Sequence, residues 1–340
     1  MRVFHRSRLN VSGSDPSRVD GKPWVDVRRT SFLPRRQDSG PVLVAVDDSD
    51  RGWEALEWAT AEAAARQCVL RIVHVFAWPL TVDALGVVAV NRLESGAREA
   101  AELVVERAAC DARLIAPELV VTTHLQEGAV GSAILREGRR DALIVLGRAR
   151  PSGLLRPRSG SPAWQVARHA ACPVAVIGLG NDVPPGPSAA RVVVGVDGTE
   201  GSMAALGFAF RAALRRGVGV TALHAWLPRH PADVEGKVDD LDSGRSFRHH
   251  MFDAALTIWR DAFPEVDVQP KLVAAPVGPA LLAESAAAAL LVVGSSGHGR
   301  VHGTFFGSVG HTVLRSAHSP VAVVRGSVEA AGAAASGAPG

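Results

Sequence analysis

No uninterrupted apolar run in the 340 residues reaches the roughly 18 that a membrane span requires. The longest apolar region, Pro279 to Val293, is broken by Glu284 and Ser285 and reads as a buried helix followed by a buried strand. The first residues lack the apolar core of a secretory leader. Cysteine is scarce: Cys68, Cys110 and Cys172 have no metal-ligand spacing, and an odd number does not close a disulfide framework. A reducing, cytoplasmic setting is expected. Charge of one sign is lacking too, since 37 Lys+Arg against 34 Asp+Glu leave a formal net charge of only +3. Much of that excess sits in a basic arm, residues 1–40, with Arg2, Arg6, Arg8, Arg18, Lys22, Arg28, Arg29, Arg35 and Arg36. The arm reads as a solvated, disordered segment. Neither a membrane nor a nucleic acid is an expected partner.

Two phosphate-binding motifs are also missing. There is no G-x-x-x-x-G-K-[ST], and no G-x-G-x-x-G follows the first strand, which argues against a P-loop NTPase and a dinucleotide dehydrogenase. No Ser-His-Asp arrangement and no paired carboxylates at the phosphate loop are suggested by the motifs. The histidines of "RHH", 248–250, have no Cys/His partner set nearby, so a metal site is not expected there. No catalytic residue is assigned.

What is present is a tandem repeat. "VLVAVDDSDRGWEALEWATAEAAARQCVLRIVHVFAW", Val42 to Trp78, matches "VVVGVDGTEGSMAALGFAFRAALRRGVGVTALHAW", Val192 to Trp226. "DALIVLG", ending at Gly147, pairs with "AALLVVG", ending at Gly294, and "CPVAVIG" pairs with "SPVAVVRG". Asp197 lies 150 residues after Asp47, and Pro320 lies 147 after Pro173. The units span 41–178 and 191–326, joined by a Pro/Gly-rich linker, 179–190, and followed by a disordered tail, 327–340.

Short β-branched runs such as Val192 to Val196, Leu290 to Val293 and Val321 to Val324 read as strands buried on both faces. They alternate with helical segments, for example Ser202 to Arg216 and Phe247 to Phe263. This alternation predicts an α/β fold of two tandem doubly wound, Rossmann-like units, each a parallel sheet with helices on both faces. Ligands in such sheets bind past the carboxyl ends of the strands, where the strand order reverses.

There the second unit places "GSSGHGRVHGTFFGS", 294 to 308, between a strand and a helix. Glycines let a ligand approach bare backbone, and a helix N-terminus presents unpaired N–H groups to an anion. Gly294, Gly297 and Gly299 therefore form a candidate cradle for phosphate, and Ser308 is expected to be the helix N-cap. His298 inside the cradle has two open readings, a phosphate contact or a solvent-facing side chain. His74 and His224 read as packed strand residues. Trp78 and Trp226 follow the second strands, either bordering a pocket or simply packing. Asp197 with Glu200 has the donor types to hold Mg²⁺ beside phosphates.

Gly294-x-x-Gly297, nine residues, then Gly307-Ser308 resembles G-x-x-G-(nine residues)-G-[ST], the nucleotide signature of the universal stress proteins. "VVVGVDGTEGS", "LHAW" and "SPVAVV" stand where that family has its first, second and fifth strands, so the resemblance covers both units. It implies five-stranded sheets and bound ATP. Asp197 would contact the ribose or adenine side, with Gly195 close to the base and Ala225 beside it. The loop of Gly294, Ser295, Ser296, Gly297, His298, Gly299 and Arg300 would wrap the phosphates, and Gly307, Ser308 and Val309 would receive them. It further implies that the fifth strands, 172–178 and 319–326, pair within the chain; a homodimer stays open, and protein partners are expected without being identifiable.

The first unit departs from the signature. Its loop, "GRARPSGLLRPRSGS", retains Gly147, Gly160 and Ser161, as its first strand retains Asp47, but Arg150 replaces Gly297 and Ser152 replaces Gly299. Pro162, opposite Val309, removes one amide donor. Arg148, Arg150, Arg156 and Arg158 add four cations suited to phosphate. Three readings stay open: ATP held by side chains, a different anion, or no ligand.

Overall fold

The protein is described by a computed structural model, which covers residues 18–19, 22–23, 40–76, 81–83, 86–88, 91–148, 161–178, 190–226, 239–295 and 307–326. In the basic arm, β1 (Arg18–Val19) and β2 (Lys22–Pro23) form a two-residue antiparallel ladder where the sequence reading has no element.

The first unit runs β3 (Val42–Val46), α1 (Asp50–Arg66), β4 (Leu70–Phe76), a short hairpin of β5 (Thr81–Asp83) and β6 (Gly86–Val88), α2 (Asn91–Ile115), β7 (Val121–Glu127), α3 (Val130–Glu137), β8 (Leu143–Gly147), α4 (Pro162–His169) and β9 (Val174–Ile177). The second runs β10 (Arg191–Gly195), α5 (Glu200–Arg216), β11 (Val220–Trp226), α6 (Asp239–Ala262), β12 (Val268–Ala274), α7 (Val277–Ser285), β13 (Ala288–Gly294), α8 (Ser308–Ser316) and β14 (Val321–Val324). The two long helices begin earlier than the sequence pattern indicates, at Glu200 and Asp239, because polar first turns carry no apolar period. Trp226 is the last residue of β11 rather than a residue beyond it.

Each unit contributes five strands, all parallel to their neighbours within the unit, to one ten-stranded sheet ordered β12-β11-β10-β13-β14-β9-β8-β3-β4-β7. At the centre β14 and β9 run antiparallel, with Val321 opposite Val176, Ala322 opposite Ala175 and Val323 opposite Val174. Ala322 is the repeat equivalent of Ala175, 147 residues on, so a pseudo-twofold axis passes between these two alanines.

The continuous sheet has two continuous cores. One face packs α1, α2, α5 and α6 through Leu56, Ala108, Phe210, Phe252 and Trp259; the other packs α3, α4, α7 and α8 through Ile134, Val166, Leu281 and Val313. Strand residues alternate between the faces, Val192 and Val194 on the first and Val193 on the second, as the period of two requires. Both faces are covered by helices, which is why the strands read as unbroken apolar runs.

The seam between units is made by pairs that the axis relates. Arg66 of α1 lies over the Phe208 ring at 5.6 Å, and its repeat equivalent Arg216 lies over Trp58, the equivalent of Phe208, at 5.4 Å. On the opposite face Trp164 and His311, again equivalent positions, meet edge to face at 4.9 Å. Glu62 has no acidic counterpart, since Ala212 occupies its position in the second unit. It bonds Arg66 of its own helix and Arg215 and Arg216 of α5, at 2.7, 3.2 and 2.5 Å. Burial opposes its ionisation most strongly, yet the attraction of Arg216, Arg66 and Arg215 together prevails and holds its pKa at about 2.

Candidate functional site

In each unit the chain leaves the first strand in one direction across the sheet and returns on the other side, so strand order reverses between β10 and β13, and between β3 and β8. The crevice past their carboxyl ends lies against the first turn of α5 or α1. Asp197 follows β10 there. Its Oδ1 accepts from the Thr199 amide at 3.0 Å and from the Thr199 hydroxyl at 2.6 Å, while Thr199 caps α5 by accepting from Ser202 N at 3.2 Å. The carboxylate is thereby fixed to the helix it precedes. Gly198 takes φ 79°, a left-handed turn open to glycine, whereas the first unit makes its turn through Asp48 without positive φ. Asp47 repeats the carboxylate arrangement with Ser49, which accepts from Gly52 N at 3.1 Å and donates its hydroxyl to Asp47 Oδ1. Asp197 is half-buried and Asp47 exposed.

Gly195 and Ala225 lie on the sheet face that carries α7 and α8, as alternation from Val193 and Leu223 dictates. A Cβ on Gly195 would sit 3.4 Å from Leu281, a close but adjustable contact. His224 Nδ1 lies 2.8 Å from Val196 O and His74 Nδ1 2.8 Å from Val46 O, so both imidazoles brace the end of the first strand.

Gly294 is glycine for a reason other than ligand approach. A Cβ there would stand 2.8 Å from the Gly201 carbonyl carbon and 3.0 Å from Ser202 N, and at Gly147 it would stand 2.5 Å from Arg51 O. In both units the strand end lies directly against the backbone of the first helical turn, and only a bare Cα fits. Gly294→Ala is accordingly expected to destabilise the protein by about 1–3 kcal/mol, as overpacking against backbone does. Gly307→Ala, where an added Cβ meets nothing within 4 Å among the described residues, is expected to stay within about 0.5 kcal/mol. Urea unfolding of the two variants measures the difference.

The structure corrects the assignment of Ser308. The N-cap of α8 is Gly307, Ser308 is the first helical residue, and among the described residues no side chain caps this end. The first helical bond runs from His311 N to Gly307 O, at 3.2 Å, so the amides of Ser308, Val309 and Gly310 precede the ladder. In the first unit Ser161 does cap α4, accepting from Trp164 N at 3.3 Å, and Pro162 occupies the first turn. That helix start is closed by its own side chain where α8 is not.

Ser295 is buried and donates its amide to Val324 O at 2.8 Å. Ser296, Gly297, His298, Gly299 and Arg300 of the second loop, Arg150, Ser152, Arg156, Arg158 and Gly160 of the first, and Trp78 lie outside the described residues. Among the described residues, no group of three His, Cys, Asp or Glu side chains is placed to hold a metal, and no helix is long and apolar enough to cross a membrane. Cys172 is an inert thiol, its pKa pushed up to about 12 by burial and then by the charge of Asp141.

Sequence reasoning missed the hydroxyls of Ser49 and Thr199 that aim the two aspartates. The D-x-[ST] spacing common to both repeats was the available signal. It also missed the reach of Arg148, the residue after Gly147, whose Nη1 donates to Arg315 O at the end of α8, in the other unit, at 3.0 Å. Arg325, after β14, donates to Arg168 O at the end of α4. Arg168 and Arg315 are repeat equivalents, so each unit places an arginine on the carboxyl end of the other's last helix.

Comparison with known proteins gives concordant results. The sequence profile described as Universal stress protein family matches residues 39–178 and 189–325. The chain is 32% identical over 300 residues to the universal stress protein Rv2005c of Mycobacterium tuberculosis, covering 86% of this chain and 98% of the relative. It is likewise 32% identical over 300 residues to Rv1996 of the same organism, covering 84% and 94%. Among solved structures, a universal stress protein from Archaeoglobus fulgidus superposes with a TM-score of 0.63 at 19% identity, covering 86% of this chain and 99% of that one.

Proposed function

The chain belongs to the universal stress protein family, and on that premise we propose that it is an ATP-binding regulatory protein of the stress response, with nucleotide held in the second unit. The observation that carries the reading is the pairing of β10 with β13 at the strand-order reversal, which sets the two chain segments that follow them side by side. The segment after β10 carries a carboxylate aimed by Thr199, and the segment after β13 leads through the G-x-x-G-x9-G-S signature to the start of α8, which no side chain among the described residues caps. The carboxylate suits ribose hydroxyls, while the amides of Ser308, Val309 and Gly310 and the positive end of the helix suit phosphate. The small residues Gly195 and Ala225, at the ends of their strands, suit the close approach of a flat base.

Binding of this kind regulates by stabilising one set of loop conformations over another, which protein partners then read. Because both fifth strands pair within the chain, a homodimer would have to use another surface. Mg²⁺ fits only as an accessory: Asp197 Oδ1 is committed to Thr199, so the protein supplies one or two carboxylate oxygens with Glu200 and the phosphates supply the rest. Steady phosphate release that requires Mg²⁺ and is abolished by Asp197→Ala would favour the second reading, a slow ATPase or phosphotransferase.

Calorimetric titration with ATP tests the proposal. Saturable heat is expected from the wild type, and Gly297→Arg, which copies Arg150 of the first unit, is expected to weaken binding at least about tenfold, roughly 1.4 kcal/mol. No heat and no thermal stabilisation at millimolar ATP would leave only a non-nucleotide scaffold.

A further inference from the structure

Among the described residues, the Arg148 guanidinium is a buried cation without a counter-charge. The residue is 9% exposed, its Nη1 is used by Arg315 O, and its Nε and Nη2 are buried with no hydrogen-bond partner among the described residues. The charged group that acts on it is a second cation, Arg51; burial first and Arg51 second pull its pKa down to about 10. Leaving an ion in this state costs several kcal/mol, and the carbonyl end of α8 answers only one of its three nitrogens.

The surrounding backbone brings the two arginine residues to the same pair of strand ends. Arg148 N is tied to Ile177 O at 2.8 Å, which fixes its Cα at the end of β9. Arg51 lies over both neighbouring strand ends: its carbonyl oxygen is 2.5 Å from the Cβ position of Gly147, and its Cδ is 2.6 Å from that of Gly178. Arg51 Nη1 is held by Glu54, at 2.8 and 2.6 Å. Glu54 thus offsets Arg51 and not Arg148.

Two adjacent N–H donors on one edge of a guanidinium match two oxygens of a tetrahedral oxyanion, and a second cation reinforces the match. We propose that the first unit holds a phosphate-class oxyanion on the Nε and Nη2 edge of Arg148, with Arg51 as the second cation, at the seam where β9 meets the second unit. The site uses side chains, not loop amides, and it does not depend on nucleotide binding to the second unit. The phosphate is either free or the tail of a nucleotide lodged in the first unit. Since the same guanidinium caps α8, occupancy also tightens the seam and stabilises the whole chain.

The test uses the full-length protein and inorganic phosphate at constant ionic strength, read by thermal unfolding and by ³¹P line width. A saturable rise in melting temperature is expected beyond the chloride control, with Arg148→Gln raising the apparent Kd at least tenfold. If Arg148→Gln does not fold, Arg51→Gln, a change on the partly exposed first turn of α1, is expected to weaken phosphate binding several-fold. Titrating ATP into Gly297→Arg identifies the source. Residual ATP uptake that Arg148→Gln removes assigns the phosphate to a nucleotide, and phosphate binding without ATP uptake assigns it to the free ion. The inference is overturned if the wild type shows no saturable response to phosphate and Gly297→Arg takes up no ATP, or if both arginine variants bind phosphate as the wild type does. ATP heat that is lost in Gly297→Arg belongs to the second unit and bears only on the proposed function.

Discussion

Replacing Glu62 by glutamine is expected to remove about 3–5 kcal/mol of stability, the usual consequence of taking away one partner of a buried ion cluster. The carboxylate side chain is 2% exposed and Arg66 is 1% exposed, so neither charge can be rescued by water. Arg215 and Arg216, more accessible at 15% and 21%, come from the other unit, so the loss falls on the contact between units. Urea unfolding followed by tryptophan fluorescence should show both a lower midpoint and a less cooperative transition as the two halves begin to melt separately. A stability change under 1 kcal/mol would show that the cluster is a bystander. The same residue predicts an acid transition. Its pKa is depressed from 4.5 to about 2, so its contribution is fully present above pH 4.5 and is lost as pH falls from there toward 2. The shift is worth about 3 kcal/mol at roughly 1.4 kcal/mol per pKa unit. Glu62→Gln should therefore flatten the fall in stability between pH 4.5 and pH 2.

Asp197→Ala is expected to weaken ATP binding about ten- to hundredfold, the range of a hydrogen bond to a charged acceptor worth roughly 1.5–3 kcal/mol. Thr199 would still cap α5, because its bond to Ser202 N does not pass through the carboxylate. The variant should thus fold, and the loss can be read as lost ligand contact. Asp197→Asn retains an oxygen that can accept from Thr199 and should fall between the two. Asp47→Ala, in the first unit, should leave the affinity of the second unit unchanged. Calorimetry with ATP decides: binding by Asp197→Ala within twofold of the wild type would remove this residue from the site.

Much of the architecture was legible because it is local or periodic. The β-branched runs at Val192 and Leu290 read as buried strands since both faces of the sheet are covered by helices, and the tandem repeat was visible as fixed offsets of 147 and 150 residues. Helix starts were read less well. α6 begins at Asp239, eight residues before Phe247 opens the apolar pattern, because a polar first turn has no periodic signal. At the site, glycine marks a close approach of backbone without recording in the local sequence which segment approaches. Gly294 stands where the signature puts it, yet what forbids a side chain there is the backbone of Gly201, a neighbour 93 residues earlier in the chain. Ser308 was expected as a cap because serine prefers that position, whereas the helix starts one residue earlier in its register, with Gly307 as the cap and Ser308 inside the first turn.

By itself, the sequence determined that there are two copies of one α/β unit, that the second carries the intact nucleotide signature, and that the first carries arginines in its place. Those properties are written in neighbouring residues, through strand and helix periods and turn-forming glycines. The pairing of the two fifth strands was expected from the family resemblance and is observed between β9 and β14; only the tertiary structure decided the contacts that flank this join, with Glu62 among three arginines on one face of the ten-stranded sheet, Trp164 against His311 on the other, and Arg148 reaching the far end of α8. The partners in these contacts are about 150 residues apart, as in Glu62 with Arg216 and Trp164 with His311. Charge balance and packing at that separation are set by the axis that relates the two units, and no local pattern in the chain records it.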